Sequence, residues 1–419
     1  MKQNNIIYQL ALRTFTPEGT LCAATKHLES LKELGVDWIY LTACFKADAD
    51  PDRQTWSPRQ IASGCDNPNN PYKIADYFHV DEEYGSDEDL CAFIARAHTL
   101  ELKVMLDLVY LHCGRNAPFL KQHPDYVLQN ADGSFVIGER WPFARINFSN
   151  SSAREYLFRN AEYLTKAFHA DGFRCDSGDS VPHDFWKECI DRVKKINPDI
   201  TFLNEGVKEE YLDCFDLDYY TIEFKDLLEK NDPASMLENA ERKFRRGQNN
   251  INYIENHDVA SDSERFDKQY SAQQADLALF LLYVMPGVPY IWNGNEYADT
   301  NENCMFSNRF FGNRSFMNPK AGMSKRGKER FSFLQKLNKL YHTHPALSRG
   351  SYDGYVQADK AVAVTRKCES ESICAVFNPS DRAVNISDLS ESRILIDLGT
   401  EKFEGGYRLN PFGFLLLIQ

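Results

Sequence analysis

Short apolar runs alternate with amphipathic stretches along most of the chain. Residues 36–43 (VDWIYLTA) are nearly all apolar and predict a buried strand. Before them, Leu21, Ala24, Leu28, Leu31 and Leu34 recur at helical spacing; after them, Leu90, Phe93, Ile94, Ala97 and Leu100 trace one helix face. A second run, 102–109 (LKVMLDLV), predicts the next strand. Further strands are predicted at 172–175, 200–204, 218–222, 251–255 and 288–292, and 6–10 completes eight. Helical patterns at 153–169, 184–196 and 272–284 fit between them, with only a short helix after Glu205.

Eight strands alternating with helices predict a (β/α)8 TIM barrel over residues 1–345, with a doubly wound sheet as the alternative. After a helix around 325–341 the texture changes. Residues 346–419 carry short alternating runs separated by turn signals, which predicts a small C-terminal all-β, sandwich-like domain. The irregular segment 113–147 follows the third strand and predicts an inserted lobe over the barrel mouth.

Composition narrows the partners. Of the 419 residues 43% are hydrophobic, enough for a core, and the net charge is -13, which argues against nucleic acid as a partner. No apolar run approaches the roughly 20 residues that span a bilayer, and the first residues lack the pattern of an export signal. The odd number of cysteines, 11, without a Cys-x-x-Cys pair, predicts free thiols and a reducing, cytoplasmic setting.

In such a barrel, residues at the C-terminal ends of strands face one rim. That rule collects Asp107 and His112 from strand three, Arg174 and Asp176 from strand four, Glu205 from strand five, and His257 and Asp258 from strand seven. Singly, each has a plain explanation: a helix cap, a surface ion pair, a satisfied polar residue. Jointly, carboxylates on strands four, five and seven call for a common one, because clustered like charges are costly. Glycosidic bond cleavage supplies it, with one carboxylate attacking the anomeric carbon and a second carboxyl protonating the leaving oxygen. Arg174, two residues before Asp176, points to the same side of its strand and would keep that acid ionised.

The motifs that carry these residues resemble the α-amylase family of glycoside hydrolases. The matching segments are 35–42, 70–77 (NPYKIADY), 107–112 (DLVYLH), 172–176 (GFRCD), 203–205 (LNE), 256–258 (NHD) and 287–296. Any one is a weak match; all of them in order are highly specific. The resemblance implies a retaining enzyme on α-glucosidic bonds of α-glucans or malto-oligosaccharides, with Asp176 as nucleophile, Glu205 as general acid/base and Asp258 as transition-state stabiliser. It implies that Tyr72, His112, Arg174 and His257 line the sugar subsite, that Asp107 supports Arg174, and that no cofactor is used. Phe45, Trp56 and Trp141 are candidate stacking aromatics, against packing roles for each.

Two departures qualify the resemblance. Leu111 stands where many members carry a calcium-ligating Asn, so no metal requirement is expected; Asp48, Asp50 and Asp52 form an acidic loop whose alternation suits calcium poorly because Pro51 interrupts it. Residues 177–180 (SGDS) replace the Lys-His that many endo-acting members carry, so endo action is not implied. A glucanotransferase would use the same triad, and a non-catalytic carbohydrate-binding protein would have lost it.

Overall fold

A computed structural model describes residues 4–222, 224–247, 249–311, 315–357, 360–387 and 392–418, apart from the side chains at 225, 226 and 249. Strands β1 (Ile7–Leu10), β2 (Trp38–Leu41), β3 (Lys103–Leu108), β4 (Gly172–Cys175), β5 (Thr201–Asn204), β6 (Leu217–Asp218), β7 (Asn249–Asn252) and β8 (Val288–Trp292) lie in parallel, in chain order, and β8 pairs with β1 to close a barrel. The barrel interior is filled by Ile7, Trp38, Tyr40, Met105, Leu203, Leu217, Tyr219, Ile251, Val288 and Tyr290. Its floor leaves no room at Gly172, where a Cβ would lie 2.8 Å from the Thr201 carbonyl and 3.0 Å from the Trp38 ring.

Two strands sit upstream of their expected positions. The sixth, expected at 218–222, is Leu217–Asp218; the Asp218 carboxylate accepts from the Tyr220 amide and turns the chain out of the ladder. The seventh, expected at 251–255, is Asn249–Asn252, in which Asn250, Ile251 and Asn252 are buried in the barrel wall. Asn252 is satisfied there by the carbonyls of Leu282, Met285 and Pro286, and the buried Lys243 ammonium donates to its amide oxygen and to Ile251 O. The expected helix over Leu21–Leu34 is two pieces, Leu21–Thr25 and Leu28–Leu34, and the short helix after Glu205 is a single 3-10 turn, Glu209–Tyr211.

Within residues 113–147 the regular structure is short turns, a two-residue ladder that pairs His112 with Arg145 and Cys113 with Ala144, and isolated bridges such as Val127 with Ile146. The C-terminal strands β9 (Ser351–Val356), β10 (Val362–Cys368), β11 (Glu371–Phe377), β12 (Val384–Ser387), β13 (Arg393–Phe403) and β14 (Gly406–Ile418) form one antiparallel sheet. The expected sandwich is thus a single hydrogen-bonded sheet with an apolar cluster on each face. Alternation along β10 and its approach sends Ala361 and Ala363 to one cluster and Val362 and Val364 to the other. The second face seats on helix α1 (Ala272–Val284), where Phe280 stacks on Phe414 at 4.1 Å. Ten of that helix's thirteen residues are buried, nine of them apolar and the tenth Asp276, which is paired with Arg326 and Arg330.

Candidate active site

The barrel ladder runs past its strand ends. The Asp176 amide donates to Leu108 O, and the Glu205 amide donates to Cys175 O, so each acid is fixed by the strand before it. Asp107 and Arg174 are register partners on β3 and β4 and point the same way. Arg174 Nη1 donates to both Asp107 oxygens at 2.9 and 3.1 Å and to Asp176 Oδ1 at 2.9 Å. Its Nη2 lies 2.5 Å from Glu205 Oε1 as an ion contact without hydrogen-bond geometry. One fully buried guanidinium therefore holds three carboxylates.

Ser177 adopts a left-handed conformation, φ 46°, that non-glycine residues rarely take. It aims its amide at Glu205 Oε2, 2.7 Å away. The loop after Glu205 is anchored by Asp179, which accepts from Asn204 Nδ2 and from the amides of Val207 and Lys208. Neither role was legible in the sequence, where 177–180 read only as a departure from the family pattern.

A hydrogen-bond chain fixes the other side. Gln9 Nε2 contacts His257 Nδ1 at 2.7 Å, His257 Nε2 contacts the Tyr72 hydroxyl at 2.9 Å, and that hydroxyl donates to Asp107 Oδ2 at 2.9 Å. With a neutral imidazole the chain runs one way, each group donating to the next, and the Nε2–H tautomer follows. Burial pushes His257 down to about 4, consistent with that neutral form. His112 Nε2 donates to Tyr72 O at 3.0 Å, which makes Nδ1 an acceptor; it is buried and has no partner among the described residues. Burial pushes this imidazole down to about 3.

The three acids differ electrostatically. Burial raises Asp176 well above the ordinary carboxylate range; Arg174 opposes it and Glu205 adds repulsion. Burial also raises Glu205, again opposed by Arg174 and reinforced by Asp258. Two buried carboxyls on one cation share a proton more readily than they ionise together. Asp258 goes the other way: burial would raise it, but His257 and Arg59 bring it down to about 2. Since His257 is neutral near pH 7, Arg59 is the cation that acts there. Arg59 sits on the short helix Pro58–Ala62 and was not found from sequence; only a contact across the fold reveals it.

These groups line a cleft of about 470 Å³ at the barrel mouth, counting its open end. Tyr72, His112, Asp176, Glu205, His257 and Asp258 all face it, while Arg174 and Asp107 lie beneath. Of the three candidate stacking aromatics, only Trp141 lines the cleft. Phe45 packs in the core beside Phe168, and Trp56 is buried with its Nε1 donating to Asp50 O, so both are packing residues.

A calcium ion of the family type does not fit. Leu111 offers no side-chain oxygen, and the three acids of the loop already have protein partners. Lys73 Nζ lies 3.6 Å from Asp48 and 3.7 Å from Asp50, Arg115 donates to Asp50 and Asp52, and Asn116 donates to Asp48 and Asp50. Elsewhere, His183, Asp213 and Cys214 gather metal-type donors, but outside the cleft and with Lys187 already on Asp213.

Among curated proteins, a cyclomaltodextrinase from a Bacillus species is 26% identical over 409 residues, covering 87% of this chain and 66% of its own. The α-amylase MalA of Haloarcula japonica is 25% identical, covering 90% of this chain and 55% of its own. The chain thus spans between about half and two thirds of the length of these relatives. An α-amylase structure from Lactobacillus plantarum superposes with a TM-score of 0.80 at 21% identity, covering 100% of this chain and 99% of that one. The family model of the α-amylase catalytic domain matches residues 3–142 and 135–339, the whole span from β1 to the helix after β8. A closed eight-stranded barrel whose acids follow strands four, five and seven, Asp258 in the first turn of the helix His257–Asp262, agrees with that match, and the chain belongs to the α-amylase catalytic-domain family.

Proposed function

We propose that the protein hydrolyses α-glucosidic bonds of α-glucans or malto-oligosaccharides with retention of configuration. Asp176 attacks the anomeric carbon, Glu205 protonates the leaving oxygen and then activates water, and Asp258 stabilises the developing positive charge. The observation that carries this reading is the shared guanidinium. Arg174 donates to Asp176 and abuts Glu205, and a charged Glu205 disfavours ionisation of Asp176, so the pair keeps one proton between its two carboxyls, the charge state that a nucleophile and an acid together need. Two carboxyls on one cation also favour the spacing of about 5–5.5 Å of a double displacement over the wider gap that admits a water between them. Tyr72, His112 and His257 contact the sugar; the open acceptor on His112 Nδ1 suits a hydroxyl donor. Arg174 and Asp107 position the acids.

The catalytic unit in this reading is residues 1–345, with the lobe 113–147 bordering the cleft and 346–419 as a C-terminal β domain. The barrel closure at β8 and the separate antiparallel ladder from Ser351 support that division. A reducing, cytoplasmic setting accords with eleven unpaired thiols and with a relative named an intracellular maltogenic amylase from Bacillus subtilis, 29% identical over 205 residues. Among the described residues no helix is long and apolar enough to cross a membrane.

The test is proton NMR of early products from a malto-oligosaccharide. The α-anomer is expected first, and initial release of the β-anomer would overturn the assignment. A parallel incubation with excess maltose reads out transfer; products longer than the substrate as the main outcome would make the protein a glucanotransferase.

A further inference from the structure

We infer that Cys65 and Cys304 form a redox-active thiol pair, a modification site at which a peroxide makes a reversible disulfide across the rim of the cleft. The two residues come from segments far apart in sequence. Cys65 follows the helix Pro58–Ala62 on the way to Tyr72, and Cys304 immediately precedes Met305 and Phe306, which line the cleft. Both side chains face the same depression and lie near enough for each thiol to act on the other's ionisation. The segments are held together independently of the thiols: Asn67 Nδ2 donates to Phe306 O at 2.9 Å, and Gln60 Nε2 donates to Asn67 O at 2.7 Å. Both cysteines also line a surface depression with Ser63, Lys268, Glu302 and Ser315, so a small oxidant in solvent reaches them.

The pair is chemically unsymmetrical. The neighbouring Cys304 thiol brings Cys65 down to about 6, with Ser63 and the charge of Arg13 assisting against burial. That same proximity, together with burial, holds the Cys304 proton on. Cys65 is thus the thiolate near neutral pH and Cys304 the resolving thiol. The Cys65 sulfur attacks a peroxide oxygen, the O–O bond breaks, and the leaving hydroxide takes a proton to become water; Cys65 is then a sulfenic acid. The Cys304 sulfur attacks it, the S–O bond breaks, and the Cys304 proton leaves with the hydroxide as a second water. One peroxide is reduced and two thiols are oxidised. Core thiols such as Cys113 and Cys189 are instead pushed up by burial and lack this reactivity.

The test uses the full chain, reduced, desalted and treated with equimolar hydrogen peroxide. Intact mass is expected to fall by two hydrogens. Peptide mapping after alkylation should show Cys65 bridged to Cys304, and dithiothreitol should restore both thiols. In Cys304→Ser the sulfenic acid on Cys65 should accumulate and be trapped by dimedone. Alkylation of Cys65 and Cys304 to the same extent before and after peroxide, or a bridge mapped to another pair, would overturn the inference. If the variant fails to fold, the map of the unaltered chain decides alone.

Discussion

Arg59 donates from Nη1 to Oδ1 of Asp258 and from Nη2 to the Asp258 carbonyl at 3.1 Å, although 199 positions separate the two residues. The remaining guanidinium nitrogen, Nε, is tied to Asp262 at 2.8 Å, so the fork is held from three sides. Asp258 is thereby fixed as an anion while Asp176 and Glu205 share a proton. Arg59→Ala is expected to lower kcat/KM on malto-oligosaccharides by about 10–100-fold, the worth of a charge-assisted hydrogen bond. Arg59→Lys should lose less, since it keeps the charge but not the fork. Unchanged kinetics in both would reduce the pair to a rim contact.

Glu205→Gln separates the two coupled carboxyls. Glu205 still carries its proton where Asp176 ionises, so its replacement by neutral Gln should leave the acid limb of kcat/KM nearly in place. The alkaline limb reflects loss of the Glu205 proton and should vanish. With poor leaving groups the glycosylation step should slow by about 10²–10⁴-fold, and with good ones far less. A bell that keeps both limbs would mean that Glu205 is not the acid.

Glu296, at the end of the β8 motif, reports on stability. It is fully buried, accepts from the Tyr8 hydroxyl and the Gly294 amide, and burial raises it to about 7 from 4.5. Folding therefore favours its protonated form. That contribution is complete below the unfolded value and is lost as pH rises through about 7. The shift corresponds to about 3 kcal/mol. Urea melts of the protein at pH 5 and pH 8 should differ more than those of Glu296→Gln; equal differences would show that Glu296 does not titrate in this range.

Chelation should change neither turnover nor melting temperature, because Lys73 and Arg115 already serve the acidic loop. Activity lost to a chelator and restored by calcium would reveal a metal site. Lys73→Met, by contrast, leaves buried Asp48 without a cation and should cost about 3–5 kcal/mol in a urea melt. A loss below about 1 kcal/mol would show that the loop relaxes to water.

Much of the barrel was legible because its strands are apolar runs, and the β4 and β8 boundaries, Gly172–Cys175 and Val288–Trp292, agree with the pattern. Strand β7 was misplaced because Asn250 and Asn252 are polar by type yet buried by circumstance. The carbonyls that satisfy Asn252 lie thirty or more positions away, outside a local window. The rim acids were legible because strand ends converge by topology, so position alone gathers them. Arg59, Gln9 and Asp179 were not, since each acts through contacts distant in sequence and carries no local signature.

The Lys73 ammonium gives the acidic loop a counter-ion of fixed stoichiometry and no off-rate. A dissociable ion stabilises in proportion to the logarithm of its free concentration, so its benefit drains away on dilution or in competition with phosphate or citrate. An amine carried on the chain contributes the same at every dilution. The loop joins Lys73, next to Tyr72 in the cleft wall, to Asn116 in the inserted segment. That wall consequently keeps its shape whatever ions surround the protein, and equally no ion level can be used to loosen it.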